Sequence, residues 1–321
     1  MVAKGRKPVK SKAPGLRVSI VVTAYNEERN IRQCVDALLN QKTTCGTITE
    51  LIVVASGCTD RTIEIANDIG AVDKRVRVIV QHARLGKASA INAYLRERDP
   101  TADVVVLSSA DVVVQPGFVD LMLAELSAFP VVGMCGGRVV PTNPPDHMMG
   151  LVVRYLWDMH HEIALRAPKM GEAVAIRSAL LEPIPEVSAV DEASIEAMVR
   201  RAGFQLRYVP GAVVVNHGPD NVREYLRQRR RIASGHYWLR AHSGYEVSTM
   251  AVSPLLAVAL SKLKLTDTRS DFAAALGISM EVVARTVGYL DYLRGYSHAI
   301  WAVSDSTRNV DLTNIEPSDK V

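Results

Sequence analysis

The first half of the chain alternates continuous apolar runs with longer stretches in which apolar residues recur at helical spacing. The apolar runs lie at Val18–Thr23, Leu51–Ala55, Val76–Gln81 and Val104–Leu107. The helical stretches lie at about 27–41, 60–69, 86–98 and 117–127. Continuous apolar runs are typical of strands covered on both faces, and strands that alternate with helices form mainly parallel sheets. The pattern therefore predicts an α/β, Rossmann-like fold with helices flanking a mainly parallel sheet.

The second half has a less regular pattern. Its predicted strands are Val131–Val140, Glu172–Arg177, Gln205–Val209 and Ala212–Val215, and its predicted helices are Asp146–Leu165, Asp191–Ala202 and Asn221–His236. His160 and His161 show no metal-ligand spacing and are expected to pack within their helix. From about 245 to 303 the pattern is helical, and Phe272–Arg285 resembles a helix–turn–helix. We therefore predict a helical extension at residues 241–321.

The basic charge of the chain is concentrated at its start. Residues 1–17 hold six Lys and Arg and no acid, which leaves 32 basic against 34 acidic residues elsewhere. A segment with so few large apolar side chains cannot offset its ordering entropy, so we predict a disordered basic tail at residues 1–16. The tail serves solubility or contacts anionic lipid head groups.

The spacing of the cysteines and the hydropathy of the chain indicate in which compartment the protein lies. The four cysteines show no CxxC spacing, which favours reduced thiols in a cytosolic protein. The longest nearly apolar stretch, Met250–Leu260, is shorter than the roughly 20 residues that span a bilayer. Met250–Leu265 is either part of the core or an interfacial segment. We predict a cytoplasmic location, with peripheral contact at the inner membrane face as a further expectation.

Polar residues follow the first predicted strand, at the edge where doubly wound sheets bind ligands. They are Tyr25, Asn26 and Glu27. An aromatic ring and an acid there suit a nucleobase. Alternatively, Asn26 caps a helix and the acids lie near its positive end. These residues alone leave both interpretations open.

Residues after the third and fourth strands suit phosphate and metal. Gly86 and Lys87 precede a predicted helix, where free N–H groups and an ammonium converge on a phosphate. Asp111 follows the fourth strand. It either holds a hard cation that bridges two phosphates or lies in a turn before Pro116. The spacing of a Walker motif is absent.

Taken in order, these segments resemble the family 2 glycosyltransferases, which have the GT-A fold. The matching runs are Val18–Glu28, Ile52–Thr62, Gly86–Asn92, Val106–Asp111, Gly171–Arg177, Val190–Glu196 and Val209–His217. Gln228–Arg231 resembles the family's QxxRW motif, with Ile232 in place of tryptophan. The resemblance covers residues 17–240, with a nucleotide-sugar half at about 17–140 and an acceptor half at about 141–240. It also implies a hairpin after the acidic helix.

The resemblance implies a site for a nucleotide-sugar. A UDP- or GDP-linked donor would be bound by Ala24, Tyr25, Glu27, Ser56, Lys87, Ser109, Ala110, Gln228 and Arg231. A divalent cation, Mn²⁺ or Mg²⁺, would bind Asp111 and His217. Glu192 would be the general base that activates the acceptor hydroxyl, with Asp191 as its rival.

The sequence departs from the family pattern in two places. Ala55 and Ser56 stand where the family usually has aspartates that recognise uracil, so the base is open. Ser109 replaces the first acid of the Asp-x-Asp metal motif, and Asp111 alone is kept. The resemblance still implies an inverting transfer to a saccharide or a lipid-linked acceptor, in glycan or glycolipid synthesis.

Two other interpretations remain open. A non-catalytic or scaffold protein of the same fold would explain the missing metal acid, although the retained Asp111, the Asp191–Glu192 pair and Arg231 argue against it. DNA binding through the helix–turn–helix is a remote third, because its second helix lacks a basic surface. We therefore predict an enzyme that binds no nucleic acid.

Overall fold

The computed structural model describes residues 15–251, 267–300, 306–308 and 310–312. The predictions for residues 1–14 of the tail and for residues 252–266 of the apolar stretch lie outside the described residues. Within the described part, eight strands form one sheet that helices flank.

The strands begin and end close to the predicted runs. In chain order they are β1 (Leu16–Ala24), β2 (Gly46–Ser56), β3 (Val76–Gln81), β4 (Val104–Ser109), β5 (Val112–Val114), β6 (Val132–Pro141), β7 (Val174–Arg177) and β8 (Gln205–Asn216). Buried valines and isoleucines dominate β1, β2 and β4, as expected for strands covered on both faces. The three residues of β5 were not predicted as a strand.

The helices follow the same alternation. They are α1 (Ile31–Leu39), α2 (Thr62–Val72), α3 (Lys87–Glu97), α4 (Phe118–Ala128), α5 (Met148–Arg166), α6 (Asp191–Arg201), α7 (Val222–Ser243) and α8 (Thr268–Leu293). One face of the sheet is covered by side chains of α1, α2 and α4 that include Ile31, Leu38, Ala66, Phe118 and Met122. The other face is covered by side chains of α3 and α6 that include Ile91, Tyr94, Ile195 and Val199.

The sheet order is β3-β2-β1-β4-β7-β6-β8-β5. β1 pairs in parallel with β2 and β4, β2 with β3, and β6 with β8. The antiparallel pairings all involve β7 or β8. The predicted mainly parallel sheet is confirmed. Because α1, α2 and α3 each follow a parallel strand, their amino ends lie at the edge where those strands end.

Two predictions about the second half were wrong. Residues 205–216 form one continuous strand, β8, rather than a hairpin. β8 stays parallel to β6, and a register shift after Gly137 accommodates the residues around Pro210. The expected helix–turn–helix is also absent, because Phe272–Arg285 lies within the single helix α8. Gly277 lies within that helix and faces α5, where an added side chain would meet Val152 at 3.4 Å.

The predicted C-terminal helical extension is present as α8, which packs against α5 and α7. Gly288 allows close contact with α7, because a side chain at this position would lie 2.6 Å from the Arg230 carbonyl oxygen. Among the described residues, α8 is the one helix whose length and composition would let it cross a membrane. That finding is weak evidence by itself, because core helices share both properties.

Candidate active site

A cavity of about 920 Å³ lies at the carboxyl ends of β1, β2 and β4. Ala24, Ser56 and Ser109 end these three strands and line the cavity. All the other predicted site residues line it too: Tyr25, Glu27, Lys87, Ala110, Asp111, Asp191, Glu192, His217, Gln228 and Arg231. The structure thus brings the predicted residues together, while their individual roles stay predictions.

The loop after β1 presents Tyr25 against an arginine. The guanidinium carbon of Arg84 lies 3.9 Å from the centre of the Tyr25 ring, a cation–π contact. Asn26 has a φ of 53°, and its side-chain oxygen accepts a hydrogen bond from the Thr59 backbone N–H at 2.7 Å. The cap interpretation of Asn26 is wrong, because α1 begins only at Ile31. Asn26 instead ties the loop after β1 to the loop after β2.

Glu27 is a buried carboxyl in the same loop. Its oxygen accepts a hydrogen bond from the Asn30 side chain at 2.9 Å. Burial, and then the nearby Asp111 carboxylate, raise the pKa of Glu27 to about 8. Glu27 is therefore largely protonated at neutral pH, where its O–H can donate a hydrogen bond to a ligand.

Ser56 supports the loop that carries Arg84. Its hydroxyl accepts a hydrogen bond from the Leu85 backbone N–H at 3.2 Å and lies 3.5 Å from the Ala83 carbonyl oxygen. Gly57 has a φ of 68°, and a side chain there would lie 2.5 Å from the backbone nitrogen of Arg84. The residue that replaces an aspartate of the family pattern thus holds the adjacent loop in place.

Lys87 is the first residue of α3 and forms an ion pair with Glu192 in α6. Its ammonium lies 2.5 Å from the Glu192 carboxylate, and both side chains are largely buried. Burial opposes the charged form, but the Glu192 and Asp191 carboxylates outweigh it and raise the pKa of Lys87. A fixed positive charge therefore lies at the amino end of α3, where a phosphate is also favoured by free N–H groups.

Asp191 and Glu192 are adjacent but have different surroundings. Burial raises the pKa of Asp191 to about 7, although Lys87 works against this shift. Asp191 Oδ1 has no hydrogen-bond partner among the described residues. For Glu192 burial would raise the pKa, but the Lys87 ammonium lowers it below its ordinary value. Asp191 is thus the better proton acceptor of the two near neutral pH.

Asp111 lies in the short turn between β4 and β5. Burial raises its pKa, while Lys87 and Arg231 oppose the shift. Burial, followed by repulsion from Asp111 and Glu192, raises the pKa of Glu172 to about 7. Among the described residues, no three His, Cys, Asp or Glu side chains form a metal-binding group. The turn nevertheless fits a cation that takes one carboxylate from the protein and further ligands from a bound diphosphate.

His217 follows β8, and both of its ring nitrogens have protein partners. Nδ1 lies 2.8 Å from Thr142 Oγ1, and Nε2 lies 3.0 Å from each carboxylate oxygen of Asp220. To bind a metal, Nε2 would have to exchange Asp220 for the cation. His217 stays a predicted ligand, and its contacts also suit a structural histidine.

Neighbouring arginines of α7 have different partners. Arg229 and Arg230 form ion pairs with acids of α8. Arg231 donates a hydrogen bond to the Ala189 carbonyl oxygen at 3.2 Å and interacts electrostatically with Asp191. Of these three arginines, Arg231 is therefore the one that interacts with the acids at the start of α6.

The sequence did not predict two polar residues of the opposite wall. His160 and His236 both line the cavity, and among the described residues His160 Nε2 and His236 Nδ1 have no hydrogen-bond partner. Burial lowers the pKa of His160 to about 3, so its ring is neutral. The ring packs edge-on to Trp157 at 5.3 Å, in line with the expected packing role. No spacing in the sequence links positions 160 and 236.

The segment after α8 forms a further wall that sequence reasoning missed. Its cavity-lining residues are Tyr296, Ser297, His298, Ala299, Ile300 and Thr307. The Ala299 carbonyl oxygen would lie 2.5 Å from a side chain at Gly86, which has a φ of 89°. The Val310 backbone N–H donates to the Asn30 side chain at 3.3 Å. These C-terminal residues thus contact the loops that follow β1 and β3.

Comparison with known proteins agrees with this geometry. Residues 19–175 match the model described as Glycosyl transferase family 2. Residues 19–175 belong to this family. The family 2 match includes the predicted site residues from Ala24 to Asp111, whereas Asp191, Glu192 and Arg231 follow it in the chain.

Curated relatives of the family 2 domain carry glycosyltransferase names. The chain is 25% identical over 241 residues to an N-acetylglucosaminyltransferase of Azorhizobium caulinodans, covering 69% of this chain and 60% of the relative. It is 23% identical over 243 residues to the probable glycosyltransferase YdaM of Bacillus subtilis, covering 70% and 56%. The chain therefore spans less than two thirds of the length of these relatives.

Solved structures confirm the predicted GT-A fold. The mannosyltransferase PcManGT from Pyrobaculum calidifontis, in complex with GDP-Man and Mn²⁺, is similar with a TM-score of 0.56. The similarity covers 91% of this chain and 86% of that one at 21% identity. Glucosyl-3-phosphoglycerate synthase from Mycobacterium tuberculosis has a TM-score of 0.50 at 22% identity, covering 72% and 81%.

Proposed function

We propose that the protein transfers a sugar from a nucleotide-diphosphate sugar to an acceptor hydroxyl, in one step that inverts the anomeric carbon. The observation that carries the proposal is the convergence of Lys87, Asp111, Arg231 and the Asp191–Glu192 pair on one cavity. A departing diphosphate needs positive charge, and an acceptor hydroxyl needs a base. The family match and the names of the relatives support this class of reaction.

The proposed donor is a UDP- or GDP-linked sugar. Tyr25 and Arg84 offer flat surfaces for stacking a base, and the protonated Glu27 offers a hydrogen-bond donor beside them. The phosphates would lie between the amino end of α3 and Arg231. Structures of similar fold were solved with GDP-Man or with UDP and Mn²⁺, which supports this class of donor.

Asp111 is the protein group proposed to hold a Mn²⁺ or Mg²⁺ ion. When bound, such an ion would neutralise negative charge on the departing diphosphate. Lys87 and Arg231 would add fixed positive charge on the same group, and their places do not depend on a ligand. His217 would be a second ligand only if Asp220 released its Nε2.

Asp191 is the residue that we favour as general base, ahead of the first sequence candidate, Glu192. Asp191 Oδ1 is free of partners among the described residues, and the pKa near 7 suits proton uptake from a hydroxyl. Glu192 is held by Lys87 and would fix that ammonium against the phosphates. A base on the acceptor and positive charge on the leaving group together suit a single displacement.

Binding of the donor is the most direct test. The protein would be titrated with UDP, GDP and other nucleoside diphosphates, with and without Mn²⁺, while its melting temperature is followed. A ligand that prefers the folded state raises that temperature, so one nucleotide should do so in the presence of metal. The matching nucleotide-sugar would then be incubated with acceptors, and NMR would give the configuration of the product.

Two outcomes would contradict the proposal. If no nucleoside diphosphate changed the melting temperature with or without metal, the scaffold interpretation would be favoured. If a product kept the configuration of the donor, the one-step mechanism would be wrong even though the transfer was right.

The predicted cytoplasmic location, and contact of the chain with the inner membrane face, remain proposals that fractionation of cells would test.

A further inference from the structure

The exposed side of α8 carries no charged residue over about 33 Å, from Phe272 to Leu293. We call this surface the α8 face. Its members are Phe272, Ala275, Ile278, Ser279, Val282, Val283, Thr286, Tyr289, Leu290 and Leu293. Val282, Leu293 and Phe272 are each 60% exposed. A contiguous apolar surface of this size is characteristic of a contact site rather than of a solvated helix.

The charged residues in the body of α8 point the other way. Glu281 accepts hydrogen bonds from Arg229 and Tyr225, and Asp291 pairs with Arg230. A helix at the surface of a soluble domain normally buries its apolar side and exposes its charges. In α8 the ion pairs are inside, against α7, and most of the larger apolar side chains are outside, whereas Met280 is buried. The sequence of α8 thus specifies two contacts, one with α7 and one with a second apolar surface.

Arginines lie at both ends of the α8 face. Arg269 is in the first turn of α8, between Asp267 and Asp271, and the exposed Arg294 directly follows its last turn. Cations at the two ends of an apolar helix suit a bilayer interface. Their guanidinium groups reach lipid phosphates, while the apolar side chains enter the boundary of the acyl chains.

The contacts of α8 favour a position in the plane of the membrane rather than across it. One side of α8 is fixed to α7 through Gly288 and two ion pairs, so the helix cannot be surrounded by lipid. The α8 face is also continuous with the cavity, since Ile278 and Val282 belong to both. A second copy of the chain on this face would close that edge of the cavity. A bilayer on the same face would leave the edge accessible to lipid molecules.

We propose that the α8 face docks on an anionic lipid bilayer, with the edge of the cavity formed by Ile278 and Val282 turned towards the membrane. An acceptor with an aliphatic chain would enter at this edge, past the apolar residues of α5 that line the cavity, among them Val152, Leu156 and Ile163. That entry route rests on the proposed function, whereas the docking itself does not.

Vesicle flotation tests the docking. Full-length protein would be floated with vesicles of phosphatidylcholine, alone or mixed with an equal amount of phosphatidylglycerol, at low and high salt. Val283→Glu/Leu293→Glu places two charges on the face at exposed positions that do not line the cavity. We expect it to reduce partitioning into the mixed vesicles about tenfold or more, since each substitution replaces an apolar side chain that would enter the bilayer with a charge.

The matched control is Val72→Glu/Val131→Glu, two exposed valines that are 87% and 55% accessible. Val72 ends α2 and Val131 precedes β6, both at the amino edge of the sheet, so this variant should float like wild type. Binding that high salt abolishes equally in wild type and in Val283→Glu/Leu293→Glu would indicate the basic tail and overturn the proposal, because screening weakens the charge contacts of the tail and leaves apolar contacts of the face in place. If the wild-type protein formed a dimer and did not float with vesicles, and Val283→Glu/Leu293→Glu made it monomeric, the proposal would be overturned in favour of a second copy of the chain on this face. Donor hydrolysis, read separately, should be equal in both variants.

Discussion

The donor side and the acceptor side of the cavity are built in different ways. On the donor side, Ala24, Ser56 and Ser109 end parallel strands, and most of the other residues predicted to bind the donor lie within a few positions of a strand end. On the acceptor side, side chains arrive from α5, α6, α7 and α8. Ion pairs between residues 52 and 61 positions apart in the chain hold α7 and α8 together. Local geometry fixes the first side, and tertiary packing fixes the second.

This difference indicates how substitutions should act. On the donor side the backbone is set by the sheet, so changing a side chain should alter binding or turnover while the fold remains. On the acceptor side several buried carboxyls share one region, and their charge depends on one another. Changes there should also shift the pH dependence and the free energy of unfolding.

Asp111→Asn should have the largest effect, on the donor side. Loss of the carboxylate that is proposed to hold the cation would remove several kcal/mol of charge stabilisation, so kcat should fall about 10³-fold or more. The melting temperature without ligand should not fall, because burial already disfavours this carboxylate. Steady-state kinetics across Mn²⁺ concentrations would measure the loss.

Ser109→Asp is the companion variant. It adds a second acid to the same turn and should lower the Mn²⁺ concentration that gives half-maximal turnover. If Asp111→Asn kept wild-type turnover, the cation would not bind at this turn, and the donor side would lose its central group.

Asp191→Asn should have the next largest effect, on the acceptor side. Removing a general base typically costs about 10²–10⁴-fold, and we expect about 10³-fold here. Wild-type kcat/KM should rise with pH through about 7, because the base acts only once Asp191 has lost its proton. Glu192→Gln should lower kcat/KM less and keep that pH profile. If Glu192→Gln were the more damaging change and Asp191→Asn left the profile intact, Glu192 would be the base.

The same difference explains which parts of the site the sequence predicted. Strand ends in a parallel sheet meet at one edge, so Tyr25, Lys87 and Asp111 could be placed together from the order of the runs alone. The acidic start of α6 was also predicted, because Asp191 and Glu192 begin a clear helical pattern. The predicted sheet and most of its strands were correct for the same reason.

Features fixed by tertiary contacts could not be predicted. His160 in α5 and His236 in α7 both line the cavity. No local sequence pattern specifies how these two helices are placed relative to each other. Residues 272–285 resemble a helix–turn–helix in sequence, yet they lie within the single helix α8, which packs against α5 and α7. The strand β8 runs on through Pro210 because β6 shifts register beside it, and a pattern within residues 205–216 does not contain that information.

Arg231→Gln should have a moderate effect that joins the two sides. Arg231 lies in α7 but is proposed to face the donor phosphates, and loss of one such donor typically costs about 10²-fold in kcat. The matched control is Arg223→Gln in the same helix, at an exposed position that does not line the cavity. Steady-state kinetics should show a loss for Arg231→Gln alone. Equal losses in both variants would indicate a general effect of charge on α7.

Glu172→Gln should have the smallest effect, on stability rather than turnover. Burial, and then the charges of Asp111 and Glu192, raise the pKa of Glu172 from 4.5 to about 7. The folded state therefore favours the protonated carboxyl. Its contribution to stability is complete below about pH 4.5 and is lost as the pH rises through about 7. An amide has no proton to lose, so the variant should melt about 2–4 °C higher than wild type near pH 8 and equally near pH 5.

Glu182→Gln is the control for that shift, because Glu182 is an exposed acid with a side chain that is 67% accessible. Scanning calorimetry at the two pH values should show no pH-dependent difference for this variant. If Glu172→Gln raised the melting temperature equally at both pH values, packing of the amide rather than loss of charge would be the cause. The carboxyls of the acceptor side would then not be coupled in the way that distinguishes it from the donor side.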